Sequence, residues 1–192
     1  MRSSLLPEPL DFSLCDSLEE QDDFVYKYFI NNIKSESIRE KYKDIKIELD
    51  NSLEYFEGKE KIFRHLCGFG SDHYEIDPCI NSEVEILCKT DCKDEGIPDS
   101  QRNLCLYRAR TLSWFNQVLK LANSNNENIK IWEIEKKLKI RFTHETADYM
   151  IIINKFYDKK NQKIRLKLIT AYPLFLKGDR KKADREYERY KK

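Results

Sequence analysis

Four short stretches of this chain have the pattern of β-strands: IKIWEI (129–134), LKIRF (138–142), DYMIIINKFY (148–157) and KIRLKLITAY (163–172). Each stretch alternates apolar and polar residues or runs as a β-branched block, which is typical of β-strands. The loops THETA and DKKNQ between them are short enough to join antiparallel neighbours. The pattern therefore predicts a four-stranded antiparallel meander.

Helical patterns surround this meander. They predict helices over residues 17–34, where Ser17 and Glu20 form a capping box, and over 36–48, 52–66, 101–123 (capped by Asp99 or Ser100) and 178–192. The predicted fold is α+β, with an N-terminal helical region followed by a helix, a four-stranded antiparallel sheet and a C-terminal helix. Residues 1–97 are assigned to the helical region with an irregular connector, which would be a bundle or a regulatory arm, and residues 98–192 to the α+β domain.

The composition is that of a globular chain, with 36% charged and 40% hydrophobic residues. The N-terminus MRSSLLPEPLDFSLCD carries no signal-peptide pattern, and no apolar run approaches about 18 residues. We therefore expect a cytoplasmic protein that does not associate with membranes.

Six cysteines without a secretion signal favour reduced thiols. A structural zinc site is the less favoured alternative, because such sites use tight Cys or His pairs and the spacing here fits poorly. The residues that such a site would draw on are His65, Cys67, His73, Cys79, Cys88 and Cys92. The prediction is no metal and no cofactor.

The net charge of +1 conceals an asymmetry along the chain. From Lys155 to the end there are 14 basic and 5 acidic residues, a net charge of +9, whereas the first 154 residues carry a net charge of −8. A dense basic segment suggests a polyanion partner, although a solvated helix face explains it equally well.

Strand parity places basic residues together. Because side chains alternate between faces, the apolar row of 138, 140 and 142 leaves Lys139 and Arg141 on the opposite face, and the row of 164, 166 and 168 does the same for Arg165 and Lys167. These four side chains would hold a phosphodiester on an open sheet face, or they would simply be the solvent side of the sheet.

Four polar residues near strand ends complete the candidate set. His144 and Glu145 lie just past a strand and could supply a general base and acid, or they could be surface residues of a turn. Strict parity puts Thr170 and Tyr172 in the apolar row of Leu168, whereas a bulge after Leu168 or at Ile169 would turn them to the basic face. The sequence contains no GxxxxGK[ST], GxGxxG, HExxH or GxSxG motif, so those enzyme classes have no support.

The order of YRARTLSWF, IKIWEI, LKIRFT, DYMIIIN, RLKLITAYP and KKADREYERY resembles the small toxin ribonucleases grouped with barnase, EndoU, the tRNA-cleaving colicins and RelE, in particular their phage-borne branch. The resemblance covers about the last ninety residues. It implies a helix packed on a four-stranded antiparallel sheet and metal-independent RNA cleavage through a 2′,3′-cyclic phosphate. Its candidate catalytic residues are Arg141, His144, Arg165, Thr170 and Tyr172.

The sequence thus predicts a metal-independent endoribonuclease, a toxin or phage-defence effector, with RNA as substrate and an antitoxin or inhibitory protein as a partner. In this hypothesis His144 or Glu145 is the base, Arg141 and Arg165 hold the phosphate, and Tyr172 is a supporting donor. The nucleic-acid-binding residues are Lys139, Lys167, Arg180, Lys181, Lys182 and Arg185. The alternative is a non-catalytic nucleic-acid-binding or partner-binding protein that uses the same basic face. In a third hypothesis, the acidic N-terminal half covers that face and inhibits it in cis.

Overall fold

A mixed five-stranded sheet forms the centre of the structure, a computed structural model that describes residues 1–53, 58–69, 103–175 and 177–191. The strands are β1 (Ile47–Glu48), β2 (Gly68–Phe69), β3 (Asn103–Leu104), β4 (Ile129–Ile134), β5 (Lys137–His144), β6 (Ala147–Asp158) and β7 (Lys163–Pro173). The sheet order is β1-β7-β6-β5-β4, and β2 pairs with β3 in a separate ribbon. The α+β class and the four predicted strands are confirmed. The purely antiparallel four-stranded sheet is wrong, because β1 adds a fifth strand parallel to β7.

The described helices are α1 (Leu18–Phe29), α2 (Lys61–Cys67), α3 (Leu106–Arg110), α4 (Trp114–Asn123) and α5 (Lys177–Tyr190), with a π-helical turn over Ile30–Lys34 and a 3-10 turn over Thr111–Ser113. The start of α1 is as predicted. The Ser17 hydroxyl accepts a hydrogen bond from the Glu20 N–H, and the Glu20 carboxylate accepts one from the N–H of Asp16. No helix among the described residues is long and apolar enough to cross a membrane.

The predicted helix over 36–48 is wrong. Lys43 and Asp44 have φ values of 47° and 63°, and the chain then enters β1. Side chains of α4 hold this segment open, since Asn116 accepts a hydrogen bond from the Glu40 N–H and Asn123 accepts one from the Lys43 N–H. Tertiary hydrogen bonds therefore override the local helical pattern.

The predicted helix over 101–123 is broken into pieces. The Cys105 N–H donates to the Cys67 carbonyl, which draws this end of the segment to the start of the β2–β3 ribbon. Further on, the Ser113 hydroxyl donates to the distant Glu8 carbonyl. The Thr111 hydroxyl donates to the Arg108 carbonyl three residues earlier, and such local side-chain bonds compete with the helical ladder. The helix predicted over 52–66 is shortened to α2. Residues Asp99 and Ser100, most of the connector and the boundary at 97 and 98 lie outside the described residues.

One hydrophobic core lies between the inner face of the sheet and the helices α1, α2 and α4. Its fully buried members come from both halves of the chain and include Phe29, Phe63, Leu66, Phe115, Ile140 and Ile151. The acidic N-terminal half is therefore packed against the sheet, with α5 on the opposite, outer face of that sheet.

A β-bulge in β7 decides the orientation of the ITAYP ending. Ile153 pairs with Leu168 whereas Ile152 pairs with Thr170, so Ile169 is the extra residue. Leu168 and Ala171 lie in the core, and Thr170 and Tyr172 turn to the outer face. This is the bulge alternative that the sequence left open.

Candidate nucleic-acid interface

Helix α5 packs across the outer face of the sheet through an apolar cluster. Trp132, Met150, Leu174 and Ala183 are buried there, and the rings of Trp132 and Tyr187 meet edge to face with centroids 5.8 Å apart. The expectation of an open cationic sheet face is therefore wrong in its central part, because the alternating outer row supplies enough apolar area to bind an amphipathic helix.

Arg141 lies beneath α5 in a closed ion-pair network. Its guanidinium is 3% exposed and donates to both carboxylate oxygens of Asp148, at 2.8 and 2.7 Å, and to Asp184 of α5 at 2.8 Å. Burial alone would lower the pKa of Arg141, but the hydrogen bonds and charges of the two carboxylates outweigh it and raise that pKa. Lys139 is paired in the same way with Glu186. Both cations are thus neutralised from within the protein.

Thr170 and Tyr172 lie beside Arg108, a buried residue that the sequence analysis did not single out. The Thr170 hydroxyl accepts a hydrogen bond from Arg108 at 2.8 Å and donates to the His65 carbonyl at 2.8 Å. The Arg108 guanidinium also lies 5.0 Å from the centroid of the Tyr172 ring. Burial raises the pKa of Tyr172 although Arg108 opposes the shift, so the phenol remains protonated near neutral pH.

His144 is the last residue of β5 and does not lie past the strand as expected. Glu145 and Thr146 form the β5–β6 turn, on which the N-terminal segment rests. The Ser3 hydroxyl lies 2.9 Å from His144 Nδ1, and the Ser4 hydroxyl donates to Glu145 at 2.9 Å. The Glu145 carboxylate is 3.6 Å from that same Nδ1. In a catalytic triad, one ring nitrogen of the histidine bonds a carboxylate and the other nitrogen exchanges a proton with the nucleophile. Here the Ser3 hydroxyl and the Glu145 carboxylate both approach Nδ1, so these three residues do not form a triad.

Arg165 and Lys167 lie at the far end of β7, where the N-terminal half supplies their partners. Arg165 donates to both oxygens of Glu48 at 2.6 and 2.5 Å, and Lys167 donates to Asp50 at 3.1 Å. The hydrogen bonds to Glu48 raise the pKa of Arg165. Both side chains remain about two-fifths exposed.

The predicted catalytic residues therefore occupy three separate places. Arg141 and Tyr172 lie beneath or beside α5, and Thr170 lies on the same face of the sheet beside Arg108. His144 instead follows Phe142 in the inner row. Arg165 lies seven residues before Tyr172 on β7, about 20 Å away at the rise of a strand. Within the described residues, the predicted base, acid and phosphate-binding side chains are therefore not brought together in one site.

The hydrogen bonds of Asp50 lead to a prediction about the stability of the protein at low pH. Hydrogen bonds from the Ser52 hydroxyl, from Lys167 and from the Ser52 N–H lower the pKa of Asp50 from 3.8 to about 2, against an opposing effect of burial. A lowered folded-state pKa stabilises the protein above the unfolded value and loses that effect as pH falls from about 4 to about 2. We expect Asp50→Asn to flatten the fall in unfolding free energy over this window, as measured by urea titrations at pH 4, 3 and 2.

The exposed Asp44 provides the matched control. Asn is well tolerated at the positive φ of Asp44. Asp44→Asn should therefore leave the fall in unfolding free energy between pH 4 and pH 2 unchanged. Equal acid dependence in wild type and Asp50→Asn would contradict the prediction.

Most charges of α5 fall into two groups, apart from the exposed Asp179 and the exposed Glu188, which pairs with Lys191. Asp184, Glu186 and Arg180 point toward the sheet, where Arg180 donates to the Leu174 carbonyl and its Nε lies 3.7 Å from Asp148. The outward side carries Lys177, Lys181, Arg185 and Arg189, here called the basic row, with Lys182 beside it. All five are exposed, and none makes an ion pair within the described part of the chain.

The basic row follows helical geometry. Residues four apart lie one above another, about 6 Å apart along the axis, so the row is about 18 Å long. Of the predicted binding residues, Lys181, Lys182 and Arg185 lie on this surface, whereas Lys139, Lys167 and Arg180 are engaged with protein groups. Lys177 and Arg189 were missed, although their spacing of four from Lys181 and Arg185 is visible in the sequence.

Two other features of the structure are weaker candidates for a binding site. A groove of about 1000 Å³ lies between residues 34–51 and the β6–β7 hairpin, but its charges are mixed and Lys46 pairs with Glu36 across 2.9 Å. Among the described residues, no group of three or more His, Cys, Asp or Glu side chains is arranged to hold a metal ion. Four of the residues of the zinc alternative, His73, Cys79, Cys88 and Cys92, lie outside that part of the chain.

Comparison of the chain with protein-family models, with curated proteins and with solved structures finds no match. The resemblance to toxin ribonucleases therefore stays a prediction.

Proposed function

We propose that this protein binds nucleic acid without cleaving it, through the phosphates and chiefly through the basic row of α5. The observation that carries the proposal is the distribution of charge on this helix: Asp184, Glu186 and Arg180 face the sheet, and the exposed Glu188 pairs with Lys191. Five exposed cations have no ion pair among the described residues. Unpaired cations at regular spacing suit a regular polyanion, because each can replace condensed counterions on a phosphate.

The rest of the outer face supports binding rather than chemistry. Arg141 and Lys139 are occupied by carboxylates, and the Thr170 hydroxyl has both a donor and an acceptor partner. A nuclease needs such groups free to meet the scissile phosphate. RNA is the substrate class that the sequence predicts, and it is the first nucleic acid to test.

The test measures binding and cleavage together. Purified protein is incubated with tRNA and with mRNA in EDTA, and complexes are followed by fluorescence anisotropy while RNA integrity is followed on gels. We expect intact RNA, submicromolar to micromolar binding at low salt, and a negative slope of log affinity against log salt of about 3 if four row cations contact a single strand. Absence of binding at low salt would overturn the proposal.

Charge removal on α5 gives the matching mutational prediction. Lys181→Gln combined with Arg185→Gln should reduce the salt slope by about 1.4 and weaken binding roughly 10- to 30-fold at 0.1 M salt. Lys41→Gln combined with Lys120→Gln changes the net charge equally at two exposed positions away from α5 and should have little effect. Equal losses in both double variants would mean that net charge, and not the basic row, drives binding.

The endoribonuclease stays as a second candidate for one reason: the bulge at Ile169 places Thr170 and Tyr172 on the same face as Arg141. Cleavage of RNA in EDTA, lost in Arg141→Lys, would favour it. Binding of polyglutamate as tight as that of RNA would instead indicate an acidic protein partner.

A further inference from the structure

The outer face of the sheet continues beyond α5 as a partly exposed surface. Lys137 of β5 lies opposite Asn154 of β6, and Asn154 lies opposite Lys167 of β7. In the next row on the same face, Phe156 lies opposite Arg165. All five occupy positions that alternate with the inward-facing positions of their strands, so they share the outer face. We call them the outer platform. Lys137 is exposed, and the other four are partly exposed.

The outer platform combines an aromatic ring, an amide and cations. The Arg165 guanidinium lies 5.4 Å from the centroid of the Phe156 ring, and Glu48 holds that guanidinium in place through two hydrogen bonds. The Asn154 side chain makes no hydrogen bond with the described residues, so its amide can both donate and accept. Such a surface offers stacking and base-edge contacts in addition to phosphate contacts.

We infer that the outer platform is a stacking site for one or two bases of a single-stranded nucleic acid whose phosphates follow the basic row. This inference rests on the proposed function and specifies its substrate as single-stranded. A duplex keeps its bases stacked inside, whereas splayed bases of a single strand can lie on a sheet. Lys137 carries no ion pair within the described residues and adds positive charge beside the ring, which matches a polyanion. Asp50 and Glu48 partly neutralise Lys167 and Arg165, so stacking contributes more here than charge.

The test uses a single-stranded RNA of about twelve nucleotides and an abasic oligonucleotide of the same length. Phe156→Ala should weaken RNA binding about 5- to 150-fold, the range of one lost base–aromatic stack, and should leave the salt slope unchanged. Abasic oligonucleotide should bind wild type and Phe156→Ala equally. Phe156→Trp should retain the affinity, and Phe156→Leu, which preserves apolar bulk without a ring, should behave like Phe156→Ala.

Tyr157 supplies the matched control, because it is 59% exposed on the opposite side of the same strand. Tyr157→Ala should bind RNA like wild type. The stacking site would be overturned if Phe156→Ala bound RNA as tightly as wild type while the Lys181 and Arg185 double variant still lost affinity. The proposed function would stand in that case. Failure of wild type to bind any oligonucleotide at low salt would overturn both. An equal loss for abasic oligonucleotide or for polyglutamate would also overturn the stacking site, since neither offers a base.

Discussion

Replacing Asp148 by alanine is expected to lower the free energy of unfolding by about 3–5 kcal/mol, because it leaves the buried charge of Arg141 without its main partner. The Asp148 side chain is 5% exposed and accepts two of the three hydrogen bonds of the Arg141 guanidinium, so water cannot replace it. A protein of ordinary stability would lose a large part of its margin. Urea unfolding at pH 7, followed by tryptophan fluorescence, measures the change.

Asp184 is the control for this prediction, since it bonds the same guanidinium but is 51% exposed. Asp184→Ala should cost under about 1 kcal/mol. Combining Asp148→Leu with Arg141→Met should restore much of the loss, because an apolar pair can replace a buried ion pair at little cost. Similar stabilities for Asp148→Ala and Asp184→Ala would show that Arg141 is reached by solvent and that α5 does not close over it.

Leu66→Ala is expected to lower the free energy of unfolding by about 2–5 kcal/mol. Leu66 belongs to α2, in the acidic half of the chain, but its side chain is fully buried in the same core as Ile140 and Ile151 of the sheet. Its loss should therefore destabilise both halves in one transition. Circular dichroism and tryptophan fluorescence, recorded along the same urea titration, should give coincident midpoints in wild type and variant.

The same substitution at an exposed leucine gives the comparison. Leu53 is 54% exposed, and Leu53→Ala should change stability by no more than about 0.5 kcal/mol. Two separated transitions, with only one shifted by Leu66→Ala, would contradict the single shared core and would favour independent folding of the two halves.

The neutralisation of the sheet by other parts of the chain bears on the hypothesis of inhibition in cis. Glu48 and Asp50 from the acidic half hold Arg165 and Lys167, while Asp184 and Glu186 of α5 hold Arg141 and Lys139. Two segments, one from each half of the chain, thus supply the carboxylates that pair with the four cations of the sheet. Among the described residues, exposed cations without an ion pair remain on the outward side of α5 and, at Lys137, on the outer platform.

Local patterns in the sequence were sufficient for the four long strands, the helix start at Ser17 and the C-terminal helix. These features depend on alternation and capping among residues that are close together in the chain, so they can be recognised from the sequence. Local patterns were insufficient for β1 and for the breaks near Cys105 and Ser113. Those depend on hydrogen bonds from residues that are distant in sequence, such as Asn116 and Asn123 to the segment before β1.

Sequence patterns alone are enough for the α+β class, for the grouping of basic residues on one face of each strand and for the basic character of the C-terminal helix. Which of those cations are available depends instead on tertiary packing. The apolar outer row around Trp132 draws α5 onto the sheet, and burial then requires a carboxylate for each cation beneath it. The same packing turns the remaining cations of α5 outward, because a helix that buries one side must expose the other.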